Sequence, residues 1–207
     1  MTSAKIILTT VLLLLVTIAL TSFDKPTGWL KGGDPEKYEM GVEKGVGPKG
    51  KNAGTIKSLK SDIEEDFATL MQNFRPGTYL GKRVRMSGIM KTKNVSAWAG
   101  FWFRVDPNLG FDNMHDGKKD VSIGGTNDWK EYSVVVDVPE GATNIAFGAL
   151  MAGTGQMWFT NVKFEIVDKS VQTTGFGQVE MEDEGDSDMK NMRASDSSEP
   201  VNLDFEK

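Results

Sequence analysis

Ala97-Trp98-Ala99-Gly100-Phe101-Trp102-Phe103-Arg104-Val105-Asp106 is the stretch whose reading decides the fold. Phe101, Phe103 and Val105 fall on one side of an extended chain, and Trp98, Trp102 and Arg104 on the other. That period of two marks a strand. A polar loop is expected over residues 109–116 and a second strand over 128–139. In that strand Tyr132, Val134, Val136 and Val138 face one way, and Glu131, Ser133 and Asp137 the other. Three of the five tryptophans and the single histidine lie between 97 and 139.

The same alternation recurs outward. Upstream, Val84, Met86, Gly88 and Met90 share a face within 79–91, and Tyr38, Met40 and Val42 alternate with Glu39, Gly41 and Glu43. Residues 45–54 read as a Gly- and Lys-rich hairpin loop, with 55–60 as its return strand. Residues 22–33 read as a short strand entering a Pro/Gly turn, with Trp29 plugging the end of the barrel. Residues 67–74 fit either a helical turn or a strand. Downstream, Ile145, Phe147, Ala149 and Met151 form one face, and 156–167 form a last strand with Val162, Phe164 and Ile166 on one side. Strands of this length joined by Gly, Asn and Asp turns predict an all-β antiparallel sandwich with one buried face per sheet.

Composition narrows the functions. The chain of 207 residues has no cysteine, which removes disulfides, thiolate metal sites and a Cys nucleophile. A lone histidine disfavours a multi-His metal centre or a His-dependent triad. A net charge of −5 gives no sign of nucleic-acid binding. Residues 178–207 hold ten Asp or Glu against three Lys or Arg, so the acidity belongs to a tail and the rest is nearly neutral.

Residues 1–21 read as a signal peptide, with Lys5 before an apolar run over 6–20. That run is short of the ~20 residues of a spanning helix, so no membrane span is expected after cleavage. The alternative is an uncleaved anchor; either way the domain is exported. Residues 22–168 form the expected domain. Residues 169–207 are expected to be an acidic disordered tail, with limited proteolysis removing 175–207 and leaving the domain intact. Leu203-Asp204-Phe205-Glu206-Lys207 echoes Thr21-Ser22-Phe23-Asp24-Lys25 and suggests a second repeat beginning at 201–207.

Several motifs carry a resemblance: Phe23-Asp24-Lys25-Pro26 with Gly28-Trp29, Gly81 to Gly88, Trp102 to Asp106, Phe111 to Met114, Asp128-Trp129 with Tyr132, Val136 to Pro139, and Gly155 to Trp158. Together they resemble bacterial galactose-binding-like jelly-roll domains, relatives of carbohydrate-binding modules. Such domains accompany exported hydrolases and peptidases and some AraC-type regulators. The resemblance covers about residues 23–167. It implies a jelly roll, favours a strand at 67–74, and points to a non-catalytic binding module for a poly- or oligosaccharide. A structural or protein-interaction domain, or an accessory or sensor domain of a regulator or hydrolase, is the alternative. Many relatives place an Asp after the aromatic of the last strand to hold calcium. Here Thr160-Asn161 follows Trp158-Phe159, so neither a metal site nor a cofactor is expected.

Candidate ligand residues follow. Trp98, Trp102 and Arg104 could make a sugar platform, with rings stacking on Trp and Arg donating to hydroxyls. The other reading is that these rings fill a sheet interface, and Trp129 and Trp158 carry the same choice. Arg104, Asp106, Asp112 and Asn113 could line a pocket, or form an ion pair that pins the following loop. Arg104 is expected to be partly exposed, held by Asp106 or Asp112 at a groove rim. His115 reads as a solvated loop residue, and Glu64-Glu65-Asp66 as a solvated turn rather than a glycosidase pair. No catalytic motif is present.

Overall fold

The structure is a computed structural model that describes residues 23–63, 66–106, 110–113 as backbone, 122–175 and 196–207. The expected signal peptide, Glu64, Glu65 and His115 lie outside these residues. Among them run nine strands: β1 (Leu30–Gly33), β2 (Tyr38–Glu43), β3 (Ala53–Ser58), β4 (Phe67–Phe74), β5 (Lys82–Asp106), β6 (Gly110–Asn113), β7 (Ile123–Val138), β8 (Asn144–Ala152) and β9 (Gln156–Val167). All pairings are antiparallel. The architecture is the antiparallel β-sandwich that the alternation predicts, in the jelly-roll form that the resemblance implies.

The two strands expected at 79–91 and 97–106 are one strand of 25 residues, β5, shared by both layers. Its first half pairs with β9 over Arg83–Lys93 and its second half with β8 over Trp98–Asp106. β7 follows its other edge from Lys82 to Ala99, and β6 continues from Trp102 to Val105. The front layer is therefore β1-β4-β8-β5-β6 and the back layer β7-β5-β9-β3-β2. The bend falls at Asn94, whose φ of 53° is left-handed. Its amide N–H donates to Thr126 Oγ1 and its side-chain oxygen accepts from the same hydroxyl. Gly155 abuts the bend; a Cβ there would lie 2.6 Å from the Asn94 carbonyl oxygen. Residues 109–116, expected as a loop, include β6, and the range 22–33, expected as a short strand entering a turn, holds a bridge between Asp24 and Val42 followed after the turn by β1.

Inward faces meet in one cluster. Phe74, Phe103 and Phe147 of the front layer pack edge-on around Phe164 of the back layer, with centroids 4.8 to 5.8 Å apart. Phe101 meets Phe159 in the same way.

The segment 196–207 packs into this body, which corrects the expectation of a detached tail for these residues; 176–195 lie outside the described ones. Phe205 is 1% exposed, stacked on Trp29 at 5.0 Å and edge-on to Phe159 at 5.1 Å. It covers Gly54, where a Cβ would come 2.4 Å from the ring. The echoed Phe23 lies over Gly41 on the other side of the β2–β3 hairpin. The two similar segments thus hold one hairpin from both faces. Residues 169–175, also assigned to the tail, are tied down as well. Arg83 donates to the carbonyls of Lys169 and Val171, and Thr174 exchanges hydrogen bonds with Val135.

Phe205→Ala is expected to cost about 3–5 kcal/mol, as for other large-to-Ala core changes. Urea unfolding would show this as a lower midpoint with an unchanged slope.

Candidate functional site

The outer face of the front sheet gathers most of the residues singled out in the sequence. Trp102 lies opposite Gly148 of β8, which lies opposite Met71 of β4. Its indole Nε1 donates to Thr69 Oγ1 on β4 at 2.9 Å, and Thr69 donates to the Ala149 carbonyl. The ring therefore reaches across β8, and Gly148 makes the room: a Cβ there would sit 2.9 Å from Nε1. Met71, Ala146 and Leu150 pack against it.

Arg104, one step along the same face, presents Nε 2.8 Å from Asp106 Oδ1 and donates from an η nitrogen to Oδ2 at 3.3 Å. Asn144 Nδ2 donates to the same Oδ2. β6 brings Asn113 opposite Trp102 and Asp112 opposite Phe103 by register. Trp98 is half-buried on this face.

Burial changes how these residues read. Trp102 is 3% exposed and Arg104 7%. Arg104 is thus a buried ion-pair partner and not the partly exposed groove-rim residue expected. A charge this deep requires its carboxylate, because an unpaired one costs several kcal/mol.

Trp158 lies elsewhere, on the outer face of the back sheet opposite Thr55 and Lys91. It is 9% exposed. Its Nε1 donates to Glu43 Oε2 at 2.6 Å, and Gln156 donates to the same oxygen. Trp129 is half-buried in β7. The expected tryptophan set is therefore split between two layers and does not converge. Thr160, which the resemblance compares with a calcium-ligand position, donates to the Asp204 carbonyl of the C-terminal segment.

An open cleft that the sequence reading missed runs along the edge of β7. It has a volume of about 650 Å³ and is lined by Asn127, Lys130 to Ser133 and Gln172 to Thr174, among others. Lys130 Nζ sits 5.5 Å from the centroid of the Tyr132 ring. Burial raises the Tyr132 pKa, and its hydroxyl, protonated at neutral pH in any case, is available to donate. Glu131 pairs with Lys163 at 3.2 Å. Asn127 donates to Thr92 and to the Gly124 carbonyl, which leaves its oxygen to accept. Behind the Gln172–Thr174 wall, Arg83 forks onto both oxygens of Asp137 at 2.8 and 2.9 Å. That hydrogen bond raises the Arg83 pKa and holds Asp137 below the usual carboxylate range. The alternation placed Lys130 to Ser133 on a strand, but only the topology makes that strand an edge.

No protein-family model matches the chain. It is 40% identical over 187 residues to YbfP of Bacillus subtilis (strain 168), described as an uncharacterised HTH-type transcriptional regulator. The match covers 88% of this chain and 57% of that protein, so the chain spans little more than half of its relative's length. Among solved structures, a proposed sugar-binding protein from Bacteroides thetaiotaomicron aligns with a TM-score of 0.51 at 11% identity, over 72% of this chain and 96% of that one. The CBM22-1 xylan-binding domain of Xyn10C from Paenibacillus barcinonensis aligns at 0.48 and 14% identity, over 71% and 90%. What the chain shares with the Bacteroides thetaiotaomicron protein is the β-sandwich fold.

Arg104→Met should destabilise the domain by about 3 kcal/mol through the carboxylate left behind, and Arg104→Met with Asp106→Leu by less. A double-mutant cycle from urea midpoints reads the difference. Asp137 has a folded pKa below its unfolded value. Its contribution is therefore present above the unfolded value, near pH 4. It is lost as pH falls through the folded one. Stability should drop in that acidic window, and Asp137→Asn should flatten the drop.

Proposed function

We propose that the chain is a non-catalytic sugar-binding module of an exported bacterial protein, and that the β7 cleft holds a short oligosaccharide. The cleft carries this reading. Its volume is within the roughly 300–1,000 Å³ range of ligand pockets, and it is open. Tyr132 supplies an aromatic face for the C–H side of a sugar ring. Asn127, Ser133, Gln172 and Thr173 supply acceptors and donors for hydroxyls. Glu131 is the single carboxylate among its described lining residues, whereas glycoside hydrolysis generally uses two. The fold likeness to a proposed sugar-binding protein points the same way. Export rests on the apolar leader at residues 6–20.

A second reading is favoured by the YbfP relationship: the domain is the ligand-sensing part of a regulator, and the sugar is its effector. Both readings use the same cleft.

Glycan-array screening of the full chain, followed by calorimetry, tests the proposal. Gln172→Ala and Tyr132→Ala are expected to weaken binding roughly tenfold or more, about 1.4 kcal/mol or above. Trp98→Ala should leave it unchanged. Loss of binding in Trp98→Ala alone would move the site to the front sheet, and binding of no glycan would end the reading.

A further inference from the structure

The C-terminal segment is attached to the body in the manner of a bound peptide. Val201 exchanges two hydrogen bonds with the Gln72 side-chain amide, N–H to Oε1 at 3.0 Å and Nε2 to carbonyl at 2.7 Å. Trp29 Nε1 donates to the Asn202 carbonyl at 3.0 Å, and the Val162 amide to that of Leu203. Asn52 donates from its side chain to the Phe205 carbonyl and from its backbone to Glu206 Oε1. Asn202 is 5% exposed; it donates to Thr27 and closes the segment on itself by accepting from the Lys207 amide. Phe205 enters the recess that Gly54 leaves beside Trp29 and Phe159.

These contacts hold the segment's main chain, largely through side chains of the body, and add one aromatic anchor, the two elements by which peptides are recognised. Two residues of the segment, Asn202 at φ 50° and Phe205 at φ 62°, hold left-handed backbone. A bulky residue adopts that conformation only when its surroundings impose it. The slot therefore dictates the shape of the segment. Twenty residues, 176–195, separate the segment from Gly175 in the sequence. Fully extended they reach about 65–70 Å, long enough to serve a neighbouring molecule as well as their own.

We propose that the Trp29–Gly54 slot is a peptide-recognition site for the Val201–Lys207 sequence, filled here by its own chain and able to accept the same segment from a second copy. The own-chain arrangement is favoured at low concentration because the tether keeps the segment's effective concentration high. Exchange between copies gives a swapped dimer when molecules are crowded.

The test uses the full chain with a protease site placed between Gly175 and Asp196. Cleavage leaves every residue present but removes the tether. A fluorescent synthetic peptide of residues 196–207 is then added and followed by anisotropy. It should exchange into the cut protein and be displaced by unlabelled peptide. A peptide carrying Phe205→Ala should compete roughly tenfold worse or more, about one decade in Kd. If the cut domain unfolds once its fragment is washed out, peptide should refold it with a Tm that rises with peptide concentration. Intact chain added to the washed protein should form a one-to-one complex by native mass spectrometry. Equal competition by the Phe205→Ala peptide, failure of peptide to enter or refold the cut protein, or absence of the one-to-one complex would each overturn the proposal. None of these outcomes involves sugar binding, so the result is independent of the β7 cleft.

Discussion

β5 carries its main chain from one layer of the sandwich into the other without leaving the extended state, and the other strands are placed by hydrogen bonding to one of its halves. β8, and through it β4 and β1, hang from the second half; β9, and through it β3 and β2, hang from the first. A strand shared by two sheets must bend, and the bend demands a local left-handed residue and a neighbour without a side chain. Asn94 and Gly155 meet those demands. Because Phe101 and Phe103 lie past the bend and Met86 and Met90 before it, one strand furnishes both walls of the core.

The outer faces also hold buried groups. On the front sheet Trp102 is held by Thr69 and Arg104 by Asp106; on the back sheet Trp158 is held by Glu43. The two indole N–H groups each have a hydrogen-bond acceptor and the Arg104 guanidinium has a carboxylate, which offsets the loss of water. Such pinned side chains build a stiff scaffold. The two places proposed for recognition lie elsewhere: the edge of β7, lined by Tyr132 and polar neighbours, and the slot beside Trp29 that Phe205 fills.

The C-terminal segment changes where the domain ends. Alternation stops at Asp168, and an acidic, polar stretch follows, so the sequence reads as a tail from there. Yet Phe205 fills a recess in the core, and Thr174 pairs with Val135. Val201, Leu203 and Phe205 alternate with Asn202 and Asp204, but that local pattern does not say what Phe205 packs against. Its partners, Trp29 and Phe159, are 176 and 46 positions away in sequence, beyond any local pattern.

Strand identity was legible because each strand has one apolar face, and the period of two at Tyr38–Val42, Val84–Met90 and Ile145–Met151 follows from covalent geometry alone. The resemblance to jelly-roll domains likewise rested on residue order. The union of 79–91 and 97–106 was not legible, because Lys93 and Asn94 interrupt the alternation in the same way whether the backbone reverses or only bends. The site residues divided in the same way. The shared face of Trp98, Trp102, Arg104 and Asp106 follows from alternation along one strand. Whether that face meets water depends on what is packed over it, a non-local property. The sequence by itself therefore determined the all-β class, the strand faces and the Arg104–Asp106 proximity. Only the tertiary structure decided that Arg104 and Trp102 are buried, that β7 is an edge with a cleft, and that residues 196–207 belong to the body, because each depends on contacts between residues far apart in the chain.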